Sequence, residues 1–229
     1  MNTSSSINLA SSGIYTIPQA ALLLDVSAQR VRNWFQGYAS GKSAIIDNQI
    51  GRENSKNAIS FVNLMEARFI DYFVERGVRP QSIRLMLDVA REFLKVDRPF
   101  AHEAMFRTDG KAIFIEATNQ AGDPKLFNLA KNSWAMHPII IDSLHEDVTF
   151  GSDGLAKCWL PRSDIAPNVV IDPIRSFGSP ILKTNKVPTK TLFSATQVEG
   201  ETFDSVAHWY EVSKAEVLEA VRFEMSLVH

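Results

Sequence analysis

The chain has 229 residues, of which 45% are hydrophobic and 22% are charged, and its formal net charge at pH 7 is −2. This composition is typical of a globular protein, and the absence of any run of about 18 apolar residues argues against a membrane span. Its single cysteine, Cys158, excludes an internal disulfide. We therefore predict a cytoplasmic protein with one large or several small domains.

The charge is unevenly distributed along the chain. Residues 1–98 contain 12 Lys and Arg against 9 Asp and Glu, and the remaining residues contain 12 against 17, which gives balances of +3 and −5. Chance variation is one explanation of this difference. The other is that the front part contacts a polyanion, because basic surfaces attract phosphate groups.

A pair of short helices is predicted directly after residues 1–13, which we interpret as a disordered lead-in. Thr16 and Gln19 form a capping box around Pro18, and these signals predict the first helix. Ser27 then caps a second helix that runs to about Gln36 and ends at Gly37. Two short helices joined by a tight turn form a helix-turn-helix motif.

The second helix has one apolar side and one polar side. Val31 and Trp34 are spaced to face the first helix. The outward residues are of the types that contact base edges and phosphates in a DNA major groove, and they are Gln29, Arg30, Arg32, Asn33 and Gln36. A small helical core with solvated arginines is the structural alternative.

The next segment is predicted to form a wing, a hairpin that lies along a phosphate backbone. Two β-prone stretches, Ser43–Ile46 and Ala58–Phe61, flank a polar loop that contains Arg52 and Lys56. We expect these two cations to contact phosphates. After the wing, Ser60 and Pro80 are predicted to open two longer helices, of which the first ends at Gly77 and the second before Pro99.

The ordered set of YTIPQAALLLDVSAQRVRNW, the wing and ISFVNLMEARFIDYFVERGVRPQSIRLML resembles the DNA-binding half of MerR-type regulators. It resembles still more closely the N-terminal domain of large, two-domain VapB-type antitoxins. This resemblance implies a homodimer that binds a palindromic operator, represses its own operon and neutralises a PIN-like ribonuclease toxin. MerR-type regulators continue into a long dimerising coiled coil, and no heptad run follows Pro99 here.

Residues 99–164 are predicted to form an α+β connector. We expect hairpins at Asp109-Gly110 and at Asp153-Gly154, because such dipeptides between β-prone arms favour tight turns. The segment between them, residues 126–144, is predicted to be mainly helical. The connector shows no catalytic pattern, although His145, Glu146 and Asp147 leave a metal or proton-transfer site as an alternative to a polar turn.

The helix-pair pattern returns near the end of the chain. Ala21, Asp25, Val26, Ser27 and Val31 are matched by a second set with the same spacing, Ala207, Glu211, Val212, Ser213 and Val217. Ser213 and Glu216 form a capping box for a last helix that extends to about Leu227. Residues 165–229 resemble the C-terminal domain of unknown function in the same antitoxins, with Lys183-Thr184-Asn185-Lys186 in place of the common Gly-Thr-Arg turn.

The second pair is predicted to contact protein rather than DNA. Its outward positions are expected to include Glu216, Glu219 and Glu224, and carboxylates are repelled by a phosphate backbone. The whole sequence thus predicts a mainly helical α+β protein with a winged helix-turn-helix domain at 14–98, a connector at 99–164 and a helical domain at 165–229. We expect a DNA-binding antitoxin with no cofactor, metal or catalytic site. A stand-alone MerR-like regulator is the alternative.

Overall fold

The computed structural model describes residues 13–38, 41, 43–50, 58–106, 108–124 and 145–227. The fold is α+β. In these residues the helices are Ile17–Leu24 (α1), Ala28–Gln36 (α2), Phe61–Glu75 (α3), Pro80–Leu94 (α4), Thr108–Ala121 (α5), Thr189–Thr196 (α6), Phe203–Trp209 (α7) and Lys214–Ser226 (α8). The strands are Ile14–Thr16 (β1), Ala58–Ser60 (β2), Val148–Phe150 (β3), Ala156–Trp159 (β4), Val169–Ile171 (β5) and Pro180–Leu182 (β6).

The predicted caps of the first helix pair are confirmed. The Thr16 hydroxyl accepts from the Gln19 backbone N–H, and the Gln19 side chain accepts from the Thr16 backbone N–H. The Ser27 hydroxyl accepts from Arg30 N–H at 3.2 Å at the start of α2. These bonds satisfy backbone donors that a helix end leaves unpaired, so local sequence determines where both helices begin.

The two helix pairs have the same turn geometry. Asp25 and Glu211 both adopt the left-handed conformation, with φ of 59° and 53°. In each pair the residue after the acid donates its backbone N–H back to the first helix over 3.0 Å, from Val26 to Ala21 and from Val212 to Ala207. The repeated sequence pattern therefore encodes one turn geometry twice. The predicted bounds of the last helix are confirmed.

The predicted wing hairpin is wrong in its strand pairing. β2 pairs antiparallel with β1, with Ile14 opposite Ser60, and residues 43–46 form no strand. The backbone N–H groups of Ile45 and Ile46 instead donate to the carbonyl of Trp34, and the Arg84 guanidinium donates to the carbonyls of Ser43 and Ala44. These bonds use the backbone groups that a strand partner would need.

The hairpin predicted at Asp109-Gly110 is also wrong, because this dipeptide lies inside α5. Ile113 and Ala117, four residues apart, are fully buried, and α5 packs along α4. Burial of this helical face outweighs the local turn preference. The hairpin around Asp153-Gly154 is confirmed by the antiparallel pairing of β3 and β4.

Two further predictions concern helices. α3 and α4 begin at the predicted positions. α4 ends at Leu94, five positions before Pro99, because the next residue, Lys95, takes the left-handed conformation with φ of 57°. The helical prediction for residues 126–144 lies outside the described residues, as does the loop at 51–57.

The parts of the chain meet across a continuous hydrophobic core. The strands β3 to β6 form one antiparallel sheet in sequence order, and α6 and α8 pack together near β5 and β6. The Tyr15 hydroxyl donates to the Gly178 carbonyl at 2.9 Å, and the Arg162 guanidinium donates to the carbonyls of Leu22 and Leu23 at the end of α1. The first helix pair therefore rests directly on the second half of the chain.

Candidate nucleic-acid interface

The outward face of α2 carries a linked set of polar side chains. Gln29 Nε2 donates to Asn33 Oδ1 at 2.8 Å, and Arg32 Nη1 donates to Gln29 Oε1 at 3.1 Å. Gln29 and Gln36 are exposed, whereas Arg32 and Asn33 are half-buried. Because the side chains support one another at helical spacing, their remaining donors are held in a limited range of positions. Five of the seven predicted DNA-contact residues thus lie on α2, and four of them share its outward face.

The inward face of α2 anchors this polar face. Val31 and Trp34 are buried, as predicted, and Phe35 is buried beside them. The backbone carbonyl of Trp34 also accepts from Ile45 and Ile46, which ties the segment before the predicted wing loop to the end of α2. A shift of α2 would therefore disturb both the core and this segment.

Arg30, the fifth predicted residue on α2, points toward α3. Its Nη2 lies 3.0 Å from Asp71 Oδ1, and its guanidinium carbon lies 5.8 Å from the centre of the Trp34 ring. The side chains of Arg30 and Asp71 are 31% and 14% exposed. Burial raises the pKa of Asp71 to about 6, although the charge of Arg30 opposes this rise. Sequence spacing gave no sign of this pair because the two residues lie on different helices.

A buried polar cluster lies beside residues 47–49, next to the start of the segment predicted as the wing loop. Glu66 is fully buried, and its Oε2 accepts from Asn63 at 2.9 Å and from Arg98 at 3.2 Å. Asn63 and Arg98 both donate as well to the carbonyl of Asp47, and Gln49 N–H donates to Asn63 Oδ1. Residues 47–49 are therefore held to α3 from below. Arg52 and Lys56, predicted to contact phosphate, lie outside the described residues.

The protonation of Glu66 is set mainly by burial. Removal from water raises the pKa of this carboxyl to about 7, against the opposing effects of Arg98 and Asn63. Its Oε1 atom is buried and has no hydrogen-bond partner among the described residues. A proton on Glu66 would relieve the cost of that buried charge, so the carboxyl titrates near neutral pH.

The predicted outward carboxylates of the last helix are half-buried, and each accepts a hydrogen bond from another segment of the chain. Glu216 Oε1 accepts from the Thr184 hydroxyl at 2.5 Å, Glu219 accepts from the backbone and side chain of Asn168, and Glu224 accepts from the Thr189 hydroxyl. The hydrogen bond from Thr184, followed by those from Ser213, holds the pKa of Glu216 below its usual range. These glutamates fasten α8 to residues 168–189. On α2, in contrast, the polar side chains bond to one another.

An apolar groove of about 760 Å³ separates α1 from the C-terminal helices. Leu22 and Ile14 line one side, and Phe177 and Val198 line the other. Phe177 is 76% exposed and lies in a run of left-handed residues, Ser176 to Gly178, whose φ angles are 46°, 54° and 82°. A Cβ atom at Gly178 would collide with the Tyr15 hydroxyl, so glycine is required there.

Two residues of the alternative metal or proton-transfer site contact neighbouring side chains. His145 stacks on Phe150, and Asp147 lies 3.8 Å from Arg68. No group of three or more metal-binding side chains occurs among the described residues. Within the same residues, no helix is long and apolar enough to cross a membrane.

Comparison with known proteins finds similarity both in sequence and in structure. No protein-family model matches the chain. A Mycobacterium tuberculosis protein named "Putative antitoxin VapB45" is 25% identical over 225 residues, which cover 91% of this chain and 92% of that protein. The crystal structure of Rv2018 from the same species covers 90% of this chain and 96% of its own, with a TM-score of 0.72 and 23% identity. The chain is thus similar in sequence to a protein named as an antitoxin, and it shares the fold of Rv2018.

Proposed function

We propose that the protein is a cytoplasmic, non-enzymatic DNA-binding antitoxin that represses its own operon and neutralises a PIN-like ribonuclease. The linked polar face of α2 is the observation that carries the DNA-binding part. The M. tuberculosis relative is similar over most of the chain, and its name supports the antitoxin part. The sequence resemblance to VapB-type antitoxins supplies the class of toxin.

In the proposed complex α2 lies in the major groove of DNA. Arg32 donates to guanine and Asn33 contacts adenine, the bases that these side chains match best. Gln29 and Gln36 add polar contacts, whereas Arg30 is paired with Asp71 and lies beside this contact surface. Arg52 and Lys56, from the segment 51–57, contact backbone phosphates. A homodimer doubles this footprint across a palindromic site.

The DNA-binding part is tested by measuring the affinity of the purified protein for the DNA upstream of its own gene at several salt concentrations. We expect binding at least about a thousand-fold tighter than to scrambled DNA of the same length, with affinity that falls steeply as salt rises. Equally weak binding to both DNAs would remove DNA recognition from the proposal.

The toxin is proposed to bind the groove beside α1. Exposed apolar side chains that converge on one concave surface are typical of protein-binding sites. Lys190 lines the same groove at the start of α6, whose Pro188 cap provides no side-chain hydrogen bond. Glu224 lines the groove as well, and its carboxylate, which accepts from the Thr189 hydroxyl, already supplies a negative group at this helix end. The groove therefore suits a toxin segment with apolar anchors.

Replacing Phe177 with aspartate tests this surface. We expect the variant to bind the ribonuclease encoded by the adjacent gene at least about 30-fold more weakly than the wild-type protein, because a charge replaces a central apolar contact. Ile174→Asp is the matched control, since Ile174 is also exposed but does not line the groove. If the wild-type protein fails to bind this ribonuclease, a stand-alone regulator is the better description.

A further inference from the structure

The pair formed by Arg30 and Asp71 gives Arg30 a different environment from its neighbours on α2. Its guanidinium lies in the crevice between α2 and α3, in contact with a carboxylate that is largely withdrawn from solvent. The buried Trp34 ring lies beneath it. Arg32, in contrast, donates to Gln29 on the exposed side of α2. Two arginines two positions apart therefore have opposite surroundings.

The contact between Arg30 and Asp71 is close, but it is not aligned as a hydrogen bond. Asp71 Oδ1 has no hydrogen-bond partner among the described residues, although Arg30 Nη2 lies 3.0 Å away. The link is therefore mainly electrostatic, and it neutralises the charge of Arg30 without locking its geometry. Such a contact can be exchanged for a phosphate when the carboxylate loses its charge.

We propose that Asp71 is a positioning residue that holds Arg30 against α3 and keeps its charge away from DNA phosphates. The inference rests on the proposed DNA-binding function. While the pair is intact, base contacts come from the linked face of Gln29, Arg32 and Asn33, together with Gln36. Release of Arg30 adds a cation that binds phosphate on any sequence, so the pair favours specific over nonspecific binding.

Protonation of Asp71 is the natural way to release Arg30. Besides Arg30 on α2, the charged groups that act on Asp71 in the described residues are Glu75 and Arg76 along α3 and Asp25 in the turn after α1. Arg76 does not replace Arg30, because its guanidinium lies over the Tyr72 ring and donates to the Tyr72 carbonyl. The pKa of Asp71 is raised above its usual value, so the charged pair persists above about pH 6 and is lost as the pH falls through that value.

The salt dependence of DNA binding measures the release of Arg30 from Asp71. At pH 7.5, Asp71→Asn should steepen the slope of log affinity against log salt by about 0.9 per bound subunit, the value of one new phosphate contact. Arg30→Ala should leave the wild-type slope unchanged, and the double variant should match Arg30→Ala. Glu75→Gln is the matched control, because it removes an exposed carboxylate one turn along α3 that forms no ion pair with Arg30 in the described residues.

The pH dependence supplies a second measure. The slope of the wild-type protein should steepen between pH 7.5 and pH 5.5 toward that of Asp71→Asn. Other titratable groups, Glu66 among them, affect both proteins equally, so the difference between them isolates Asp71. Thermal melts of all variants identify any slope change that comes from unfolding.

An NMR titration of the Asp71 carboxyl tests the pair without DNA. We expect a pKa near 6 in the wild-type protein and a higher pKa in Arg30→Ala, because the opposing cation is lost. Equal pKa values in both proteins would overturn the proposal. The proposal would also be overturned if the wild-type protein binds its DNA specifically and Asp71→Asn has the same salt slope as the wild-type protein. That result would leave the proposed function intact. Equally weak wild-type binding to both DNAs would instead overturn the proposed function, and with it any role of the pair in DNA selection.

Discussion

Replacing Arg32 with alanine should weaken binding to the upstream DNA by about 1–3 kcal/mol, or roughly 5- to 150-fold. Arg32 lies on the polar face of α2 with its guanidinium supported by Gln29, so its other donors are available to a base edge. The loss should be concentrated on the specific sequence, with little change on scrambled DNA. Fluorescence anisotropy with both DNAs measures the two affinities.

Arg222→Ala is the matched control for this experiment. Arg222 is exposed on α8, at the position of the second helix pair that corresponds to Gln36 in the first. Its removal changes the net charge by the same amount, and we expect it to leave DNA affinity within about twofold. An Arg32→Ala loss of equal size on every sequence would identify Arg32 as a phosphate contact rather than a base contact.

Replacing Trp34 with alanine should lower the free energy of unfolding by about 3–5 kcal/mol, the usual cost of truncating a large buried aromatic side chain. Trp34 is 1% exposed and is among the largest fully buried side chains of the described residues. It forms the apolar side of the helix whose other side carries the proposed DNA contacts. Urea denaturation followed by circular dichroism measures the change.

Gln36→Ala, on the exposed side of the same helix, should alter the free energy of unfolding by less than about 0.5 kcal/mol. DNA affinity of the Trp34 variant should fall with the folded fraction, because α2 loses its support. A Trp34 variant as stable as the wild-type protein would mean that the core around α2 can repack without this ring.

Local signals made the helix pairs predictable from the sequence. The capping bonds of Thr16, Ser27 and Ser213 join residues three positions apart, so their partners are visible in the sequence itself. The inward positions of Val31 and Trp34 followed from helical spacing in the same way. Four of the proposed contact residues on α2 consequently lie together on its polar face.

Features that depend on distant partners could not be predicted. β2 had an equally plausible nearby partner in residues 43–46, yet it pairs with β1. The Asp109-Gly110 turn signal was outweighed by packing of α5 on α4, which involves another helix. The contacts of Arg30 with Asp71 and of Glu216 with Thr184 likewise join separate elements. Periodicity identifies which face a residue occupies, but it does not identify the neighbouring element.

The Arg162 contact makes the first helix pair, α1 and α2, mechanically dependent on a distant part of the chain. Its guanidinium reaches the last carbonyls of α1, where a positive charge favours the helix dipole. A force or partner that displaces the loop carrying Arg162 would thereby loosen the helix on which α2 is seated. A fragment that ends before Arg162 would lose these two hydrogen bonds, and the last turn of α1 would be held less firmly.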